Sequence, residues 1–308
     1  MRQTRAPHGV LGQGVLIDPM EIHAEAYNRP IGIFDSGIGG LTVLKALKDK
    51  LPHESFIYFG DLAHSPYGTK SKKMVRAYAR TITRFLLAQE VKLIVIACNT
   101  ASASAAQEVR RMAYPVPVLE VVEYGVEAAL QIIGQADQTN HRVGVLGTPT
   151  TVSSEVYVEQ LRIKAKERDI ALEIQQAACP LFAPLAEEGL WQGEIPKLIA
   201  AMYLHDMHAF APDVVILGCT HYPLLREVIA EQLPESTKLV DSASLIAERA
   251  KQLLEDKKLL RLTPEPGSID IYSSDSEDTF RRMATRFLDM TVDIVHYVEL
   301  DAWEESEG

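Results

Sequence analysis

Short apolar runs, rich in β-branched and aromatic residues, recur along the chain: RPIGIFD, SFIYFGD, VKLIVIA, VPVLEVV, HRVGVLG, LEIQQAA, DVVILGC, TKLVDS, SIDIYSS and VDIVHYV. Their composition predicts strands. The longer stretches between them carry a helical period. Leu41, Leu44, Leu47 and Leu51 fall along one stripe that stops at Pro52. Val75, Tyr78, Ala79, Ile82, Phe85 and Leu86 form another behind Ser71, a residue type that caps helix starts. Regular alternation of strand and helix predicts an α/β chain with parallel sheets and helices on both faces. Ligands of such sheets sit at the carboxyl ends of the strands, so chemistry is sought there.

Composition narrows the choice. With 308 residues and 47% hydrophobic content, the chain can bury a large core as a soluble globular protein, and its length suggests two domains. A net charge of -11 leaves no dense basic patch for phosphates, which argues against nucleic acid and anionic membrane surfaces as partners. No apolar stretch is long enough to span a bilayer. Cys98, Cys179 and Cys219 form no CxxC or Cys/His metal spacing and read as reduced cytoplasmic thiols. Residues 1–29 lack the continuous apolar segment of a signal peptide and read as an N-terminal extension, with Met20 as an alternative start.

A weak internal echo locates the chemistry. IGIFDSGIGG (31–40) resembles VGVLGTPTT (143–151), each a strand ending in a glycine- and hydroxyl-rich loop. Further along each half a second strand ends in a cysteine, LIVIACNT (93–100) and VVILGCTH (214–221). Two similar α/β halves, each with a polar loop and a thiol, would suit a ligand cleft between them.

Taken alone, a cysteine behind an apolar strand is most often packing, and Thr100 and Ser102 could simply cap the next helix. Cys219, at the matching strand end and followed by Thr220 and His221, changes that reading, whereas Cys179 in AACPLFAP has no polar escort and reads as structural. Asp35 has an ordinary reading as an Asx turn before Leu41. Gly37, Gly39 and Gly40 expose backbone amides at a helix start, which suits an anion. Thr42 stands where a dinucleotide fingerprint needs its third glycine, so a carboxylate fits the loop better than a pyrophosphate. The segment GDLAHSPYGTKS reads as a turn at Pro66, Tyr67 and Gly68 that also offers backbone donors and a phenol to the same cleft.

Two thiols facing one ligand from opposite sides suit a cofactor-free racemase or epimerase. One base removes the α-proton while a conjugate acid delivers a proton to the other face. Asp35 and His221 are the groups placed beside the thiols to manage those protons, and Ser36, Asn99, Thr100, Thr148, Thr151 and Thr220 are the donors available for a carboxylate. A non-catalytic carboxylate-binding module with inert cysteines and a redox dithiol protein are the rival readings.

The ordered set FDSGIGGLTVL, YFGDLAHSPYGTKS, IACNTASA, GVLGTPTTVSS, ACPLFAPLAEEG, ILGCTHYPLL and VDSA resembles the glutamate racemases over nearly all of residues 30–300. The resemblance implies cofactor-independent interconversion of L- and D-glutamate for peptidoglycan, with an aspartate racemase as the nearer alternative. It implies that Cys98 works on the D-enantiomer and Cys219 on the L-enantiomer, assisted by Asp35 and His221. An acidic residue of PLAEEG also has a family counterpart, assigned to Glu187, with Glu188 as its neighbour. Substrate contacts carry over to Asp35, Ser36, Pro66, Tyr67, Gly68, Asn99, Thr100, Thr148, Thr151, Thr220 and His221. The family architecture implies two α/β domains with the chain returning to the first, here 30–122 plus 241–302 and 123–240, with the active site between them; the extension over 1–29 departs from it, being longer than in compact members. A homodimer is expected. The extension resembles those that take part in binding a peptidoglycan-precursor activator.

Overall fold

The computed structural model describes residues 26–134, 140–288, 292 and 294–303. Within them the chain builds two parallel sheets. The first contains β1 (Ile31–Asp35), β2 (Phe56–Gly60), β3 (Leu93–Ile96) and β4 (Val118–Glu120), and the second contains β5 (Asn140–Gly147), β6 (Ala171–Ala178), β7 (Val214–Gly218) and β8 (Lys238–Val240). The chain then returns to the first sheet with β9 (Ile269–Ser273) and β10 (Val295–Tyr297). Strand order is β10-β9-β2-β1-β3-β4 in one and β6-β5-β7-β8 in the other. Every pairing is parallel. This is the α/β class that the alternation predicts.

The continuous apolar strand runs follow from burial on both faces. Successive residues point to opposite sides, so Ile31, Ile33, Tyr58 and Val95 enter one core while Phe34, Phe59, Ile94 and Ile96 enter another. Helices Leu41–Lys50 and Ala243–Asp256 cover the first face, and helices Lys72–Ala88 and Asn99–Ala113 the second. The second sheet repeats the plan: Leu146, Val215 and Leu217 face one core, and Val143, Val145, Val214 and Ile216 the other.

Both helical stripes are buried as their spacing predicts, apart from a half-buried Tyr78. Truncating a fully buried leucine such as Leu44 to alanine would cost about 2–5 kcal/mol. Ser71 caps the second helix, accepting from the Met74 amide at 3.3 Å.

Two local expectations need correction. VPVLEVV reads as one strand, but β4 stops at Glu120, whose carboxylate accepts from the amides of Val122 (2.7 Å) and Glu123 (3.1 Å) and starts the helix Val121–Ile133. Capping wins there over β-propensity. The cap of helix Asn99–Ala113 comes from Cys98, not from Thr100 or Ser102, because that helix starts one residue after the thiol.

Most of the expected N-terminal extension, residues 1–25, lies outside the described residues. Its described end is tied down at the amino edge of the first sheet, where the buried Lys92 ammonium donates to the Tyr27 carbonyl (2.5 Å) and the Leu259 carbonyl (2.8 Å) and pairs with Glu54 (2.5 Å). The opposite, carboxyl edge is the functional one. There Asp35 is in register with Gly60, and Gly147 with Gly218.

Candidate active site

The strand ends of both sheets converge on a cavity of about 140 Å³. Its wall from the first sheet includes Ser36, Pro66, Tyr67, Gly68, Cys98, Asn99 and Thr100. Thr148, Glu187, Cys219, Thr220 and His221 come from the second. Asp35 and Thr151, the remaining candidates, are fully buried behind this wall.

Asp35 closes an Asx turn, its Oδ2 accepting from the Gly37 amide at 3.0 Å, and its Oδ1 faces the Thr220 hydroxyl across the cleft at 3.5 Å. Burial raises its pKa above the ordinary carboxylate range, opposed by His221 and by the amides of Gly37 and Gly40. Gly39 permits the two halves to meet: a Cβ there would overlap the Thr220 hydroxyl and the His221 ring.

Cys98 is buried at the start of its helix. The Ala101 amide donates to its Sγ at 3.4 Å, and the Ser36 hydroxyl lies at 3.7 Å. Burial, followed by the negative charge of Asp35, pushes the thiol up to about 12, against the pull of the Ala101 amide and Ser36.

The Cys219 side is different. Its Sγ lies 3.7 Å from His221 Nδ1, and His221 Nε2 lies 3.0 Å from a Glu187 carboxylate oxygen. Burial alone would lower the imidazole pKa. Contact with Cys219 and then Glu187 outweighs it and lifts His221 from 6.5 to about 10, so the ring carries positive charge at neutral pH. Glu187, at the end of helix Phe182–Glu187, makes this contact, while the adjacent Glu188 is exposed.

Hydroxyls stitch the halves together. Thr100, Thr148 and Thr151 form a buried triangle with oxygens 3.0–3.2 Å apart, and Thr148 also caps the helix Pro149–Ser153. The Thr150 hydroxyl donates to the carbonyls of Gly68 (2.9 Å) and Lys70 (3.1 Å). Cys179 packs in the second sheet's core, and burial pushes its thiol up as well.

Some contributors were not singled out from the sequence. Ser65, Thr69, Pro149, Pro180, Ala183 and Pro184 also line the cavity, all inside or beside the quoted motifs. Asp61 is fully buried and accepts from the Tyr67 phenol (2.5 Å) and the Ser274 hydroxyl (2.6 Å), which sets the Tyr67 wall; the strand-end aspartate of YFGD was its signal. Among the described residues no helix is long and apolar enough to cross a membrane, and no group of three or more His, Cys, Asp or Glu could hold a metal ion.

The Asp/Glu/hydantoin racemase family model matches residues 41–250. Fold and match together define the class: an amino-acid racemase, an isomerase. A glutamate racemase from Chlorobium phaeobacteroides is 40% identical over 281 residues, spanning 91% of this chain and 100% of that one. The crystal structure of glutamate racemase from Francisella tularensis in complex with D-glutamate has a TM-score of 0.81 and 39% identity, covering 90% of this chain and 99% of that chain. That of Escherichia coli glutamate racemase in complex with L-glutamate and the activator UDP-MurNAc-ala has a TM-score of 0.65 and 28% identity, covering 84% and 95%. The chain belongs to the Asp/Glu/hydantoin racemase family, within it to the glutamate racemases.

Proposed function

We propose that the protein interconverts L- and D-glutamate by direct proton transfer through two thiols, without a cofactor. The observation that carries this reading is that Cys98 and Cys219, from equivalent strand ends of two sheets, line one cavity. With L-glutamate bound, the Cys219 thiolate takes the α-proton and the Cys98 thiol gives its proton to the opposite face. The D-enantiomer reacts by the reverse transfer.

Each neighbour has a part. Protonated His221, held by Glu187, balances negative charge on the Cys219 sulfur. Asp35, beside Cys98, keeps the proton on that thiol until the carbanion forms, and its contact with Thr220 keeps the two walls in register. An amino acid's α-proton is too weakly acidic for a thiolate alone. Ser36, Asn99, Thr100, Thr148 and Thr220 therefore donate to the substrate carboxylate and to the charge that develops on it. Thr151 orients two of those hydroxyls from behind. Pro66, Tyr67 and Gly68 close the wall over the ligand.

The division into 30–122 plus 241–302 and 123–240 belongs to this reading, and is supported by the strand membership of the two sheets. The product supplies peptidoglycan synthesis in the cytoplasm, where free thiols such as these three stay reduced. A homodimer, and an activator of the kind bound by the E. coli relative, engaged through residues 1–29, complete the proposal.

The test uses extensively dialysed protein without added pyridoxal phosphate. The circular dichroism of L-glutamate should decay to zero under reducing conditions. Decay of L-aspartate alone would move the substrate assignment, and decay of neither would leave a carboxylate-binding module.

A further inference from the structure

Tyr157 lies at the start of helix Val156–Glu167, on the second sheet's side, with its ring in that sheet's core. It is almost fully buried, yet its hydroxyl crosses to the other half and donates to Asn99 Oδ1 at 2.6 Å. Two glycines clear its path. A Cβ at Gly218, the residue before Cys219, would come within 3.0 Å of the ring, and one at Gly125 within 3.2 Å of the hydroxyl. The side chain thus runs from the strand end that carries Cys219 to the residue that follows Cys98.

A primary amide has one accepting oxygen and two donating N–H bonds. Tyr157 occupies the oxygen, so the N–H groups are the end that Asn99 has left for the cavity it lines. Turned over, the same amide would show a carbonyl oxygen to an incoming carboxylate and repel it. The phenol oxygen could accept from a turned-over amide, but its own buried proton would then lose the acceptor it has here, so the bond to Oδ1 favours the orientation in which Asn99 is a donor to the cavity.

We propose that Tyr157 is a positioning residue for substrate binding: its hydroxyl locks the Asn99 amide with its N–H groups toward the substrate carboxylate. The inference rests on the two-thiol racemase reading above, and specifies how its carboxylate site is oriented.

The test is a double-mutant cycle on the full chain, with racemisation followed in both directions and D-glutamate binding followed by calorimetry. Tyr157→Phe keeps the ring and removes the donor. It should raise KM about five-fold for both enantiomers and weaken D-glutamate binding alike, with kcat within about two-fold, as for the loss of one neutral hydrogen bond. In an Asn99→Ala background the same substitution should add nothing, because Tyr157 acts through that amide. Unchanged KM, or an undiminished effect in the Asn99→Ala background, would overturn the proposal. So would a fall in kcat at constant KM. Should the Tyr157→Phe chain not fold, fluorotyrosine placed at 157 provides the second reading: a stronger donor must lower KM, and a KM left unchanged refutes the lock. Failure of the wild-type protein to racemise glutamate would sink the racemase reading by itself, while the calorimetric cycle would still read the Tyr157–Asn99 coupling.

Discussion

Cys98 and Cys219 occupy equivalent places, each just past the end of an interior parallel strand, yet their surroundings carry opposite charge. Cys98 is wrapped by a helix amide and the Ser36 hydroxyl, with a buried carboxylate nearby, and burial holds it as a thiol with a pKa of about 12. Cys219 faces an imidazolium that Glu187 anchors from behind. The repeated fold supplies the pair of positions, and the surroundings make them unequal. The proposed two-thiol transfer needs that inequality, since one sulfur must hold the proton while the other lacks it.

The largest effect should come from either cysteine. Cys98→Ser or Cys219→Ser should lower kcat/KM by about 10³-fold or more, because a serine hydroxyl is too weak an acid to replace a thiol as base. The enantiomers have equal free energies in water, so both directions must fall together in each variant. Near wild-type turnover by Cys219→Ser would remove that side from the chemistry.

Supports of the two thiols should differ as their charges do. His221→Asn removes the cation beside Cys219 and should cost about 100-fold in kcat, whereas Ser36→Ala, which removes a neutral neighbour of Cys98, should cost less than about ten-fold. Equal losses in steady-state assays would erase the contrast. Gly39→Ala tests the contact between the halves. Its Cβ would overlap the Thr220 hydroxyl and the His221 ring, so a destabilisation of about 1–3 kcal/mol is expected by thermal or denaturant unfolding.

The smallest effect is on stability against pH. His221 binds its proton more tightly in the folded protein than in the unfolded chain, so its stabilisation is complete below the unfolded pKa of 6.5 and is lost as pH rises toward about 10. Tm should therefore decline across that window. Glu187→Gln removes one cause of the shift and should flatten the decline, and an unchanged slope would mean that Glu187 does not hold the ring.

Much of this was legible in the sequence because burial writes itself locally. Parallel strands buried on both faces appear as unbroken apolar runs, and the helix stripes at Leu41–Leu51 and Val75–Leu86 name their own buried faces. What escaped was decided by contacts between distant residues or by caps. Whether Glu187 or Glu188 meets His221 depends on roughly 100° of rotation around a short helix, which composition cannot set. Ser274 reaches Asp61 from the far end of the chain, after the return to the first sheet. The bond from Tyr157 to Asn99 likewise exists only because the two sheets meet. By contrast, Cys98 and Cys219 could be paired from the echo between LIVIACNT and VVILGCTH, since equivalent strand ends in a repeated α/β plan point at one cleft.

The fate of the α-hydrogen decides between two bases and one. L-glutamate is incubated with the reduced protein in D₂O and stopped at low conversion, and both enantiomers are separated and weighed for deuterium. With two thiols, the base that removes the proton is not the acid that returns one. The D-glutamate formed should then carry deuterium at Cα while the remaining L-glutamate stays unlabelled. D-glutamate that retains the original hydrogen, or label appearing equally in the recovered L-glutamate, would mean that a single base serves both faces, and would contradict the division of labour between Cys98 and Cys219.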